Sequence, residues 1–207
     1  MIQTEATDLA TLERLVAALR PEGRQDLLRA LGDEARVFWH PNPGPQTLAV
    51  ECQADELFYG GEAGGGKSDL LMGLALTEHN QSLLLRRTNK EASKFIKRLS
   101  DIIGHRDGWN GQLQTFSLPG HTIEVGGVQL EDDKQKYKGD PHDLIGFDEI
   151  ADFLESQYRF IAGWNRSADK DQRCRVIAAG NPPTTPEGLW VLKYWGPWVD
   201  PNHPKPA

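Results

Sequence analysis

The run 58-FYGGEAGGGKSDLLMGLAL-76 joins a short apolar segment to a glycine loop, a Lys-Ser pair and a longer apolar segment. Within it, Gly61, Glu62, Ala63, Gly64, Gly65, Gly66, Lys67 and Ser68 fit the spacing G-x-x-x-x-G-K-[ST]. The surroundings fit as well. Leu57–Tyr59 reads as a strand, 60–66 as a loop and Lys67–Leu76 as a helix. Glycines let successive backbone N–H groups turn inward around phosphate oxygens, and the helix N-terminus adds partial positive charge. Lys67 then meets the β- and γ-phosphates and Ser68 ligates Mg²⁺, so ATP and Mg²⁺ are the expected cofactors. The competing reading is a flexible loop that happens to precede Lys-Ser; the strand before it and the helix behind it argue against that.

Two further strand ends add chemistry. The stretch 144-LIGFDEI-150 is an apolar run ending in Asp148-Glu149. Beside a phosphate-loop strand, Asp148 holds the water shell of Mg²⁺, and Glu149 orients and deprotonates the attacking water. The competing reading is a plain strand end whose carboxylate caps a helix. The stretch 176-VIAAGNPP-183 ends in Asn181, which either senses the γ-phosphate or simply initiates a turn with Pro182.

Around these motifs, strands at 83–87 and 175–179 alternate with helices at 91–103 and 153–161, which argues for a mainly parallel sheet covered on both faces. The segments 115–118, 121–125 and 128–130 read as short antiparallel strands, separated by the turn dipeptides Pro119-Gly120 and Gly126-Gly127. The fold class expected is α/β, a P-loop NTPase of the RecA-like kind, with a small β-hairpin insert. Leucines at 9, 12, 15 and 19, then at 27, 28 and 31, predict a helical appendage over 1–40. The prolines of 41-PNPGPQ-46 make a rigid connector to an ATPase domain over 41–200, and 196–207 reads as a linker or end.

Composition bounds the rest. The chain has 207 residues and a formal net charge of −7, which excludes a uniformly basic nucleic-acid coat but not a local basic groove. Its hydrophobic fraction is 38%, and 21 glycines bring the apolar total to about 48%, enough for a buried core. No apolar run reaches the roughly 18–20 residues of a bilayer span. The start lacks a signal-peptide pattern. The two cysteines, Cys52 and Cys174, lack redox or metal spacing, so a reduced intracellular protein is expected.

Taken together, 45-PQ-46, 58-FYGGEAGGGKS-68, 83-LLLRRT-88, 137-YKGDPHDLIGFDE-149 and 178-AAGNPP-183 resemble the ATPase domain of phage terminase large subunits, the DNA-packaging motors of tailed phages. The resemblance spans about residues 41–200 and implies further roles. Gln46 falls on the adenine-reading position, and Asn181 on the motif coupling hydrolysis to movement. Lys138 stands where relatives often carry arginine, making it the leading candidate for a cationic finger given in trans, with Arg87 and Arg166 as rivals and a plain surface charge as the bland alternative. The resemblance further implies translocation of double-stranded DNA into a procapsid, portal and small-terminase partners, a homo-oligomeric ring and a host-cytoplasmic location. Lys94, Lys97 and Arg98, or Lys134, Lys136 and Lys138, are candidate DNA contacts. Two features depart from the family. The phosphate loop lacks an arginine, and no carboxylate cluster for a nuclease follows Asn181, so no nuclease activity is expected of this stretch and 201–207 would precede a missing nuclease domain. The alternatives are a RecA-like helicase or recombination ATPase, and a non-enzymatic assembly module that binds ATP.

Overall fold

The computed structural model describes residues 39–62, 64–200 and 202–203. The helices expected over 8–38 lie outside these residues, as do Ala63 and most of 201–207. The chain divides into two units, Met1–Val37 and Phe38–Ala207, and the elements below belong to the second.

One sheet contains β1 (Glu56–Gly60), β2 (Gln81–Arg86), β3 (Trp109–Asn110), β4 (Thr115–Leu118), β5 (His121–Gly127), β6 (Leu144–Asp148) and β7 (Arg175–Gly180). The order is β1-β7-β6-β2-β5-β4-β3. The first five in that order are parallel, and β4 and β3 extend the sheet antiparallel at one edge. The helices among the described residues are α1 (Pro45–Glu51), α2 (Lys67–Thr77), α3 (Asn89–Ile103), α4 (Glu155–Ala162) and α5 (Trp190–Val199).

Strand alternation builds a core on each face. Leu84, Leu144, Ile177 and Ala179 pack with α2 and α3. Leu83, Leu85, Ile145, Phe147, Val176 and Ala178 pack with α4 and α5. Covered on both sides, these strands read as continuous apolar runs. Helix α2 is apolar all round because it is buried all round, from Leu70 to Leu76. Its Gly73 lies against the Trp39 ring, where a Cβ would come within 2.1 Å of a ring atom. Helix α3 carries a capping box in which Thr88 Oγ1 accepts from Glu91 N–H and the Glu91 carboxylate accepts from Thr88 N–H, and it stops at left-handed Gly104.

Several expectations change. The Asp148 strand does not lie beside the phosphate-loop strand. The crossover through α2 carries the chain from β1 past two intervening positions to β2, and β6 and β7 later fill the gap, with β7 between β1 and β6. Gly126-Gly127 is the end of β5, not a turn. A Cβ on Gly126 would lie 2.0 Å from Tyr137 Oη, and one on Gly127 would lie 2.4 Å from Asn89 N, so both glycines serve close approach. Val128–Leu130 is not a strand; it leads into a 3₁₀ turn, Glu131–Tyr137. The connector already turns helical at Pro45, which suits the first position of α1 because its missing N–H has no partner there anyway. Helix α5 runs through Gly196 and Pro197, because Trp190, Val191 and Trp195 are anchored in the core.

Candidate nucleotide-binding site

The motifs converge at the carboxyl ends of β1, β7 and β6, where open parallel sheets bind ligands. Gly60 pairs with Gly180, and Asp148 pairs with Ala179, so the phosphate loop, Asn181 and the Asp-Glu pair emerge side by side. A cleft of about 350 Å³ is lined by residues that include Asn42, Gln46, Tyr59, Gly61, Glu62 and Lys67.

Gly66 ends the loop and caps α2 with a φ of +69°, and a Cβ there would lie 2.2 Å from Gln46 Nε2. Only glycine meets both conditions. Gln46 is buried and reaches this point from α1. Its Nε2 donates to the Gly66 carbonyl at 2.8 Å, and its Oε1 accepts from Asn42 N–H at 2.7 Å. One N–H and one lone pair of the amide stay uncommitted. Tyr59 donates to the Gly65 carbonyl at 3.3 Å, and burial raises its phenol pKa. Lys67 is 7% exposed at the head of α2, and its Nζ donates to the carbonyls of Gly61 (3.0 Å) and Glu62 (2.6 Å). The lysine therefore points along the inside of the loop, while Gly61, Glu62, Gly64 and Gly65 are exposed.

Ser68 and Asp148, 80 positions apart, meet at 2.8 Å, Oγ donating to Oδ2. Asp148 is fully buried, and its Oδ1 is among the buried atoms without a hydrogen-bond partner. A hydroxyl and a buried carboxylate with an unsatisfied oxygen form a donor set that fits Mg²⁺, a hard cation that takes oxygen ligands and keeps several waters. Glu149 is half-buried and left-handed, with φ 58° and ψ 55°, a strained conformation for a non-glycine residue. The turn that follows explains it. Ile150 is buried, Asp152 N–H donates to the Glu149 carbonyl at 2.9 Å, and Gly180 sits 3.1 Å, as its Cβ would measure, from Ile150 N. Asn181 follows Gly180, and its Oδ1 is also buried without a partner.

Other predicted residues are not brought to this place. Lys138 is exposed at the end of the 3₁₀ turn, on the segment that leads into β6. Arg87 donates to the Val128 carbonyl and to Gln157 Oε1, both at 2.9 Å, and so anchors the loop after β5. Arg166 stacks on Trp164 at 4.8 Å. Arg98 holds Asp69 with two bonds of 2.9 and 2.7 Å, Lys134 pairs with Glu131, and Lys136 pairs with Asp133 at 2.9 Å. Arg86 is the site residue that motif reading missed. It ends β2, and its guanidinium holds Asp148 and Ser68 together. Its place in 83-LLLRRT-88 was the available signal.

A larger cleft, about 860 Å³, lies between β1 and α5 and is lined by Phe58, Trp190, Tyr194, Trp195 and Trp198. There Glu56 accepts from Tyr158 and Tyr194, and the Tyr194 phenol is pushed up to about 12, chiefly by burial. Its lining takes Glu56, Leu57 and Phe58 from β1 but none of the phosphate-loop residues 61–68, nor Asp148, Glu149 or Asn181.

No helix among the described residues is long and apolar enough to cross a membrane. No protein-family model matches the chain, and no curated protein matches it. Solved structures do. The large terminase from a thermophilic bacteriophage aligns with a TM-score of 0.51 at 16% identity, over 79% of this chain and 42% of that one. The Thermus phage P74-26 large terminase ATPase domain aligns at 0.46 and 14% identity, over 86% and 74%, and a mutant of it at 0.48 and 15%, over 86% and 75%. The chain thus spans less than half the length of the thermophilic bacteriophage's terminase. At these identities the likeness speaks for architecture: the chain shares the α/β fold, a mainly parallel sheet covered by helices, of that thermophilic bacteriophage's large terminase.

Proposed function

We propose that the chain is an ATP-hydrolysing motor domain of the terminase type, spanning about 41–200, which drives viral double-stranded DNA into a procapsid. The observation that carries the ATPase reading is the meeting of Ser68 and Asp148 at 2.8 Å, directly beyond the glycine loop and beside Glu149. The terminase fold and the motif order add the motor reading.

In this reading the loop N–H groups and Lys67 bind the nucleotide phosphates, Lys67 exchanging the carbonyls of Gly61 and Glu62 for phosphate oxygens. Gln46 contacts the adenine edge through the amide capacity that Gly66 and Asn42 leave free. Ser68 and Asp148 would hold Mg²⁺, which would supply charge neutralisation at the nucleotide phosphates. Glu149 accepts a proton from water as the water oxygen bonds to the γ-phosphorus. The bond to the β–γ bridging oxygen breaks, and ADP leaves with that electron pair. Asn181, one residue past the strand between β1 and β6, carries the phosphate state to the proline segment behind it.

Lys138, exposed at the end of the 3₁₀ turn, serves as a finger toward a neighbouring subunit in a ring, with portal and small terminase as partners. Lysine brings charge without a bidentate fork, so its effect is smaller than an arginine's.

The test is nucleotide binding and phosphate release with and without double-stranded DNA. Lys67→Ala is expected to lose ATP binding, and Glu149→Gln to keep binding and lose turnover. Equal ATP affinity in wild type and Lys67→Ala overturns the assignment of the loop. Turnover indifferent to DNA, with portal and small terminase present, overturns the motor.

A further inference from the structure

Arg86 has no part in the chemistry above, yet it makes the densest set of polar contacts at the site. Its Nε donates to Asp148 Oδ2 at 2.7 Å, and its Nη2 bonds the same oxygen and reaches Ser68 Oγ at 3.3 Å. The guanidinium carbon lies over the Phe95 ring, 5.2 Å from its centroid. Arg86 thus places the protein's own cation where the two groups assigned to Mg²⁺ meet.

The reason is electrostatic. A fully buried carboxylate without a compensating charge is costly, and Arg86 supplies that charge in the absence of a metal. The guanidinium occupies Asp148 Oδ2 and the Ser68 hydroxyl and leaves Asp148 only Oδ1, so a metal ion bound to both residues has to displace it from Ser68. A free metal ion would have to break several charge-assisted hydrogen bonds in exchange for one hydroxyl and one carboxylate. A metal ion arriving on ATP comes with phosphate oxygens, anions with which a displaced guanidinium can pair.

We propose that Arg86 is an internal counter-cation that keeps the Ser68–Asp148 site closed to free divalent metal and yields it only to metal carried by a nucleotide. It is a positioning residue, and the inference rests on the nucleotide reading of the site.

The experiment measures Mn²⁺ binding to the full chain by electron paramagnetic resonance of the free ion, without and with ATP. Without ATP, Arg86→Gln is expected to bind Mn²⁺ at least about tenfold tighter than wild type, the loss of one charged hydrogen bond being of that order. Arg86→Lys keeps the charge but not the fork and falls between; it also serves if the glutamine variant melts early by circular dichroism. Adding Asp148→Asn to Arg86→Gln removes the gained binding. With ATP, the wild type gains Mn²⁺ affinity by a larger factor than Arg86→Gln does. Mn²⁺ affinities within about twofold across wild type, Arg86→Gln and Arg86→Lys without ATP, where wild type binds Mn²⁺ with ATP, overturn the role of Arg86 and leave the nucleotide reading intact. Wild type that binds no ATP overturns the nucleotide reading and the inference with it.

Discussion

Glu149 allows the site's backbone strain to be measured apart from its chemistry. Its φ of 58° and ψ of 55° put a residue with a Cβ in the left-handed region, which costs roughly 1–2 kcal/mol. Replacing it with alanine removes the carboxylate and keeps that cost, whereas glycine removes both. Glycine also makes the unfolded chain freer, which takes back about 0.5–1 kcal/mol relative to alanine. Glu149→Gly should therefore be more stable than Glu149→Ala by about 0.5–1 kcal/mol, the reverse of the usual order of these residues. For a chain of this size, that is a melting difference of about 1–4 °C. The assay is thermal unfolding of both variants by calorimetry, alongside phosphate release, which both should lack. An alanine variant as stable as the glycine one, or more so, would refute the claim that strain is stored at this position, whatever the turnover shows.

Other perturbations separate structural from functional cations and test the close contacts. Arg87→Ala leaves Gln157 Oε1 and the Val128 carbonyl short of a donor and should cost about 1–3 kcal/mol in chemical denaturation. Arg98→Ala breaks an ion pair whose arginine is half exposed and should cost under about 1 kcal/mol in the same measurement. Gly126→Ala drives a methyl into Tyr137 Oη and should destabilise by about 1–3 kcal/mol. In the Tyr137→Phe background the loss should shrink, and equal losses in both would place the clash elsewhere. Gln46→Ala should weaken ATP more than GTP in equilibrium binding, and an equal loss for both would leave Gln46 solely as the clamp on Gly66.

The parts legible in the sequence were those whose cause is local. A glycine loop between an apolar strand and an apolar helix reads as one unit, and so do the strands ending in Asp148 and Asn181, because each needs only neighbours in the chain to be recognised. What was not legible depends on distant partners. Arg86 meets Asp148 across 62 positions, and nothing in 83-LLLRRT-88 says which of its two arginines turns to the site and which to Gln157. Gly126-Gly127 has turn composition, yet Tyr137 and Asn89 decide it. The acids 131-EDD-133 flank Lys134 and Lys136 in the sequence, but only the 3₁₀ turn shows that Lys134 pairs with Glu131 and Lys136 with Asp133. Pro197 argued against a helix on local grounds, but the burial of Trp190 and Trp195 outweighs it.

The geometry at the carboxyl edge depends on polar groups at the opposite edge. Asp143, just before β6, accepts from the N–H groups of Asn80 and Gln81 at 3.0 Å and faces His79 at 3.2 Å, both side chains being buried. This fixes β6 against the start of β2. Asn165 Nδ2 lies within 3.0–3.1 Å of the carbonyls of His142, Asp143 and Arg175, which ties β6 to β7. Arg175 is fully buried, its pKa lowered by desolvation, and it donates to the carbonyls of Ala49 (2.9 Å) and Val50 (3.4 Å) at the end of α1. Cationic donors are favoured at a helix C-terminus, and α1 is the helix that carries Gln46 to the phosphate loop. A slip of one residue in any of these strands would turn its side chains to the other face of the sheet. Asp148 would then leave Ser68, and β7 would no longer deliver Asn181 between the loop and Glu149. The apolar strands have much the same composition along their length, so hydrophobic burial discriminates register weakly there. The buried amide, carboxylate and guanidinium at the amino edge reach these backbone partners in only one register, and so they select the alignment that the site requires.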